Sequence, residues 1–191
     1  MNNRILGVIA LLGSPMLLIE YALYRFEQHD TTQLVAVLSL LYTIGWICSM
    51  IGMYRLRATG HHLIGRGIIA VQIVLLALAA LWALLYIPDA TPNQGSIFYQ
   101  VTDVAWPLSH VFMLVTGIAA AVAGVFKGWH RYAALLAGLS LIGSILVSLI
   151  AGETAGSVWF AVVTALGFGL LGYAVLVSEE QPALRYASQI K

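Results

Sequence analysis

The sequence predicts an all-α, polytopic integral membrane protein, with six transmembrane helices in a compact bundle. Six stretches are apolar over about 18 residues or more, the length a helix needs to cross a bilayer. Charged residues are 9% of the chain and hydrophobic residues 61%, with a mean hydropathy of +0.91. A soluble domain carries roughly 25% charged residues, so a soluble chain this apolar could not cover its own surface. The basic residues also sort to one side of the six stretches, as the positive-inside bias of membrane proteins requires.

The first span, residues 5–24, follows a short MNNR start and ends in Arg25-Phe26-Glu27. It carries no small-residue cleavage site, so it reads as a retained span rather than a signal peptide. Pro15, in Gly13-Ser14-Pro15, should kink it by leaving a backbone carbonyl one turn earlier without a donor. Ala10, Gly13, Leu17, Glu20 and Tyr24 share one face, which turns Glu20 toward the bundle. A polar loop through residue 33 follows.

The second span, 34–54, holds the small pair Gly45 and Ser49, the aromatics Tyr42 and Trp46, and the chain's one cysteine, Cys48. A lone cysteine in an apolar run reads as a small core residue. The span ends in the basic turn Arg55 to His62. In the third span, 63–87, Gln72 is the one strongly polar interior residue, and Pro88 stops the helix. The DATPNQG loop, 89–95, is rich in turn residues.

Ser96 is placed to cap a long helix over 96–124, whose fully apolar part, 104–126, is the fourth span. Gln100, Asp103, Pro107, His110, Leu114, Gly117, Ala121 and Gly124 recur at helical spacing. The first half of that face is polar and the second half small. Small residues let helices approach closely, so Asp103 and His110 are expected to point inward. The fifth span, 132–151, repeats Ser140, Ser144, Ser148, and then Gly152 and Gly156 beyond it, at intervals of four. The sixth, 157–177, repeats Ala161, Ala165 and Gly169. With the GETAGS turn between them they predict a tightly packed hairpin. Residues 1–177 form one transmembrane domain, and 178–191 a polar tail.

With the N-terminus inside, Arg4, Arg55, Arg57, Arg66, Lys127, Arg131, Arg185 and Lys191 are cytoplasmic, and Arg25 alone among the nine basic residues is not. That bias places both termini in the cytoplasm and the protein in the inner or plasma membrane. Glu20, Glu27, Asp30, Asp89, Asp103 and Glu153 fall at or near the outer face. Spans 1–3 and 4–6 could form an inverted repeat, with Pro15 and Pro107 in loosely similar places.

An ionisable group inside a span is a functional-site hypothesis by default, and Glu20 and His110 are the two here. Glu20, Asp103, Trp106, His110 and Glu153 together suggest an outward-facing polar pocket that binds or moves a small ligand or protons. A buried hydrogen bond that only fixes helix packing is the plainer reading of the same residues. The alternative role is a non-catalytic accessory or structural subunit of a larger membrane complex. An intramembrane lipid-modifying enzyme is less favoured: Ser109 beside His110 is not a dyad, because adjacent helical residues point about 100° apart, and no hydrolase motif is present. A transmembrane haem needs facing axial ligands, and His110 alone lies within a span, so no cofactor is expected. Glu20, Asp103 and His110 are suitable ligand types for a metal, but no spacing motif supports one. The expected partners are membrane lipids, with a membrane-protein partner or a second copy of the chain. No basic stripe or motif for nucleic acid is present. Arg55, Arg57, His61, His62 and Arg66 read first as topology-setting charge, and second as a contact for anionic headgroups or a partner.

Overall fold

The computed structural model describes residues 2–25, 33–87 and 95–178. Of these, 88% are helical and none lies in a strand. Six helices, or helix pairs, are long and apolar enough to cross a membrane. The loop carrying Glu27, His29 and Asp30, the segment 88–94 with Asp89, and the tail from 179 lie outside the described residues.

The first span is two helices, α1 (Asn3–Gly13) and α2 (Met16–Tyr24), broken at Ser14 and Pro15. Pro15 has no N–H for the Leu11 carbonyl, and the Ser14 hydroxyl donates to that carbonyl instead, at 3.0 Å. Sequence therefore sets the break and also its repair. Ser14→Ala should leave the Leu11 carbonyl unmet in a nearly buried position and lower stability by about 1 kcal/mol. The reactivity of Cys48 on heating reports this directly, since it is the chain's single thiol and is buried.

The remaining spans are α3 (Gln33–Arg55), α4 (Leu63–Tyr86), α5 (Ile97–Ala123), α6 (Ala133–Ala151) and α7 (Glu153–Val177). Each packs on its sequence neighbours, and α7 closes the ring against α1 and α2 while also touching α3. Gly7 sits against Leu176, so the first turns of α1 and the last turn of α7 share one end. Arg4, Arg55, Arg57, Arg66, Lys127 and Arg131 belong to that basic end. The opposite, acidic end carries the ends of α2 and α6 and the starts of α3, α5 and α7. Helix α3 is the most enclosed, with 61% of its most apolar window buried against 28% for α4.

Close backbone approach holds the ring together. A methyl group at Gly117 would lie 2.5 Å from the Cα of Leu135, and one at Gly138 would lie 2.6 Å from the Cα of Leu114. Gly13 and Gly45 are matched the same way across α1 and α3, where a methyl on either would sit 2.9 Å from the other's Cα. In lipid the hydrocarbon outside a helix is as apolar as the side chains inside, so this intimate packing supplies the attraction that burial supplies in water.

Two boundaries and one helix face differ from the sequence reading. Helix α5 ends at Ala123, where Gly124 takes a left-handed cap at φ 62°, and the chain passes through a 3₁₀ turn over Gly128–Tyr132 into α6. Helix α7 begins at Glu153 rather than 157, because Gly152 alone (φ 93°) reverses the chain. Glu153 is thus the first residue of a helix, where its charge complements the helix dipole, and not a loop residue. The third correction concerns the inward face of α5. Gln100, Asp103, Pro107 and Gly124 are exposed, and the buried stripe runs through Thr102, Ala105, Ser109, His110, Met113, Thr116, Gly117 and Ala120. Thr102, Ser109 and Thr116 can turn inward because their hydroxyls donate to carbonyls of their own helix. The two prolines also behave differently: Pro15 breaks its span, whereas Pro107 lies inside a continuous helix.

Candidate functional site

Glu20 sits on α2 about one turn from its end and is nearly buried. The Ser39 hydroxyl of α3 donates to its Oε2 at 3.1 Å. Thr43 donates to the Ser39 carbonyl at 2.8 Å, fixing that turn of α3. One turn further along α3, about 4.5 Å at the helical rise, stands Tyr42. Its hydroxyl is 3.2 Å from Nε2 of His110. The two intramembrane ionisable groups therefore do not meet; both are gathered by consecutive turns of α3.

His110 is fully enclosed. Its Nδ1 lies 3.0 Å from the Trp106 carbonyl, one helical turn back. A carbonyl only accepts, so Nδ1 carries the hydrogen; in the neutral ring Nε2 is then the acceptor and Tyr42 the donor. Both ring nitrogens are thereby used. The imidazole sits among aromatic rings, with centroids of Trp106 at 4.4 Å, Trp46 at 4.7 Å and Phe160 at 5.4 Å. Phe168 packs on Trp46 at 4.4 Å and on Tyr42 at 5.5 Å, edge-on. These rings come from α3, α5 and α7, so the histidine joins three helices.

Of the five residues expected to share a pocket, the structure draws Glu20 and His110 into the bundle and leaves Trp106 half-buried between His110 and the acidic end. Asp103, expected to face inward, is exposed, as is Glu153 at the start of α7. The residues that actually hold the two ionisable groups, Ser39 and Tyr42, were not foreseen in that role. Their spacing of three on one face of a polar-spotted apolar helix was the available signal.

A second polar contact crosses the core nearby. Gln72 of α4 donates to the Ser109 carbonyl of α5 at 3.1 Å, while its own carbonyl oxygen is buried without a partner among the described residues. Trp46 Nε1 and Thr164 Oγ1 are likewise buried and meet no partner among the described residues. Among the described residues no three His, Cys, Asp or Glu side chains come together as a metal site would require. A large concavity, of about 1210 Å³, opens at the basic end, between the α3–α4 turn and the end of α5.

No known protein family, curated protein or solved structure matches the chain.

Proposed function

We propose that the protein binds and moves a proton or a small cationic or polar ligand at the acidic end of the bundle. Glu20 is the group that takes up the charge, and the Tyr42–His110 pair is the polar floor beneath it. The exposed Asp103 and Glu153 draw cations to that end, and half-buried Trp106 lines the approach to His110. The sorting of the basic residues to the other end supports this reading, with both termini in the cytoplasm and the acidic end facing outward from the inner or plasma membrane.

The observation that carries this reading is the pairing of two ionisable side chains, at membrane depth, with consecutive turns of the most enclosed helix. Such groups are unfavourable in a bilayer and face pathways or partners where they occur. The unmet Trp46 Nε1 beside His110 adds support, since a buried donor without an acceptor suits a small polar guest. The accessory-subunit role would want a small-residue face turned away from the bundle. Gly117, Gly138, Gly156 and Gly167 instead meet the chain's own helices, which ranks that role second.

Purified protein in liposomes with an internal pH dye tests the proposal. An imposed proton or cation gradient should relax faster than in empty liposomes, Glu20→Gln should abolish the difference, and His110→Gln should slow it by about tenfold or more, the equivalent of 1.4 kcal/mol. Wild-type rates in Glu20→Gln would sink the reading. Recovery of the protein from its own membrane with one constant companion would move the assignment to the accessory role.

A further inference from the structure

We propose that the basin at the basic end is a binding site for one anionic phospholipid, with the phosphate held by its rim and an acyl chain lying along its wall. The inference does not rest on the transport reading, which concerns the other end of the molecule.

The rim carries Arg55, Arg57, His61, His62 and Lys127, and among the described residues no Asp or Glu lines the basin. Arg57 and Lys127 on one concavity repel one another, and a phosphate relieves that repulsion while matching arginine and lysine donors. The wall is different in kind. Ile64, Ile68, Ala119 and Val122 line it, and Ile64 and Val122 are 78% and 81% exposed. A charged rim joined to an apolar wall that opens onto the bilayer suits a lipid better than a soluble anion, which would have no use for the wall. The location agrees, since the basin lies at the helix ends where headgroups are.

The turn that presents the rim is held by its own hydrogen bonds. Thr59 donates to the Gly65 carbonyl at 2.7 Å, and its own carbonyl sits so close to Gly65 that a methyl there would lie 2.2 Å away. Ala58 is fully buried and its N–H donates to Met53 at 2.9 Å. Arg57 is held in the left-handed region, at φ 53°, which a side chain seldom adopts. Its guanidinium donates to Nδ1 of His61 at 2.9 Å, which orders both groups at the rim. Gly60 rests near Ala123 of α5, closing the back of the basin.

Native mass spectrometry of the full chain in mild detergent, titrated with phosphatidylglycerol or phosphatidylcholine, tests the site. One phosphatidylglycerol should be retained in preference to phosphatidylcholine. Arg57→Gln and Lys127→Gln should each weaken its retention about fivefold, the effect of one basic residue at a charged membrane surface. Arg4→Gln removes the same charge from the same end but outside the basin, and should leave retention within about twofold of wild type, well below that one-residue effect. Lys127 is exposed outside regular helix, so its variant tests the site even where Arg57→Gln fails to fold. Equal losses in Arg4→Gln and Lys127→Gln, or equal retention of the two lipids, would overturn the site. Displacement of the lipid by inorganic phosphate would reassign the basin to a soluble phosphate and also overturn it.

Discussion

Gly117→Ala should destabilise the bundle by about 3 kcal/mol, at the upper end of what overpacking a well-filled contact costs. The added methyl would lie 2.5 Å from Leu135 Cα and 2.6 Å from its nitrogen, both backbone atoms. A flexible side chain could swing aside, but backbone can yield only if α5 and α6 move apart. That movement would also open the reciprocal contact, where Gly138 meets Leu114, so the two contacts fail together. Gly138→Ala should cost a similar amount, and the double variant less than the sum, because one separation relieves both clashes. Gly67→Ala is the control. It lies in exposed helix with nothing within 4 Å of the added methyl, and should be neutral or stabilising by up to about 1 kcal/mol through helix propensity. The temperature at which Cys48 becomes reactive in detergent separates the two cases. A Gly117→Ala protein that unfolds with wild type would mean that the α5–α6 approach does not hold the bundle.

His110→Ala should cost about 3 kcal/mol by a different route, a void plus a stranded polar group. The ring fills the space among Trp46, Trp106 and Phe160. Its loss removes those contacts and leaves the Tyr42 hydroxyl, in a fully enclosed position, without its acceptor. Tyr42→Phe, which keeps the ring and strands only Nε2, should cost about 1–2 kcal/mol. In the double variant no stranded hydroxyl remains, so the two effects should fall short of additive by about 1 kcal/mol. Thiol reactivity on heating reads all three. Full stability in His110→Ala would show that the imidazole is kept for a ligand and not for packing. A large loss places the Tyr42–His110 pair in the scaffold, and the gradient measurement on His110→Gln then decides whether the pair also serves the transport role.

The spans, their order and their basic end are legible in the chain because hydropathy, proline breaks and charge sorting are local properties. Six apolar stretches of sufficient length leave the backbone no satisfied arrangement in lipid except helices. Pro15 removes a donor wherever α1 packs, and Ser14 stands beside it to take the freed carbonyl. The rotation of each helix is another matter. In water an amphipathic stripe marks the inner face, but a membrane helix is apolar on both sides, so the stripe is faint. Asp103 and His110 fall at a plausible common spacing, yet α5 turns Thr102, Ser109 and Thr116 inward and leaves Asp103 outside. Those hydroxyls satisfy themselves on their own helix and are at home on either face, so their identity does not declare which. Partner choice is likewise non-local. Glu20 and His110 could have met, and only the placement of α3 between them assigns one to Ser39 and the other to Tyr42. The basin at the basic end has the same origin: its arginines and histidines are adjacent in sequence, but the wall from α5 that makes a concavity of them exists only once the helices have packed.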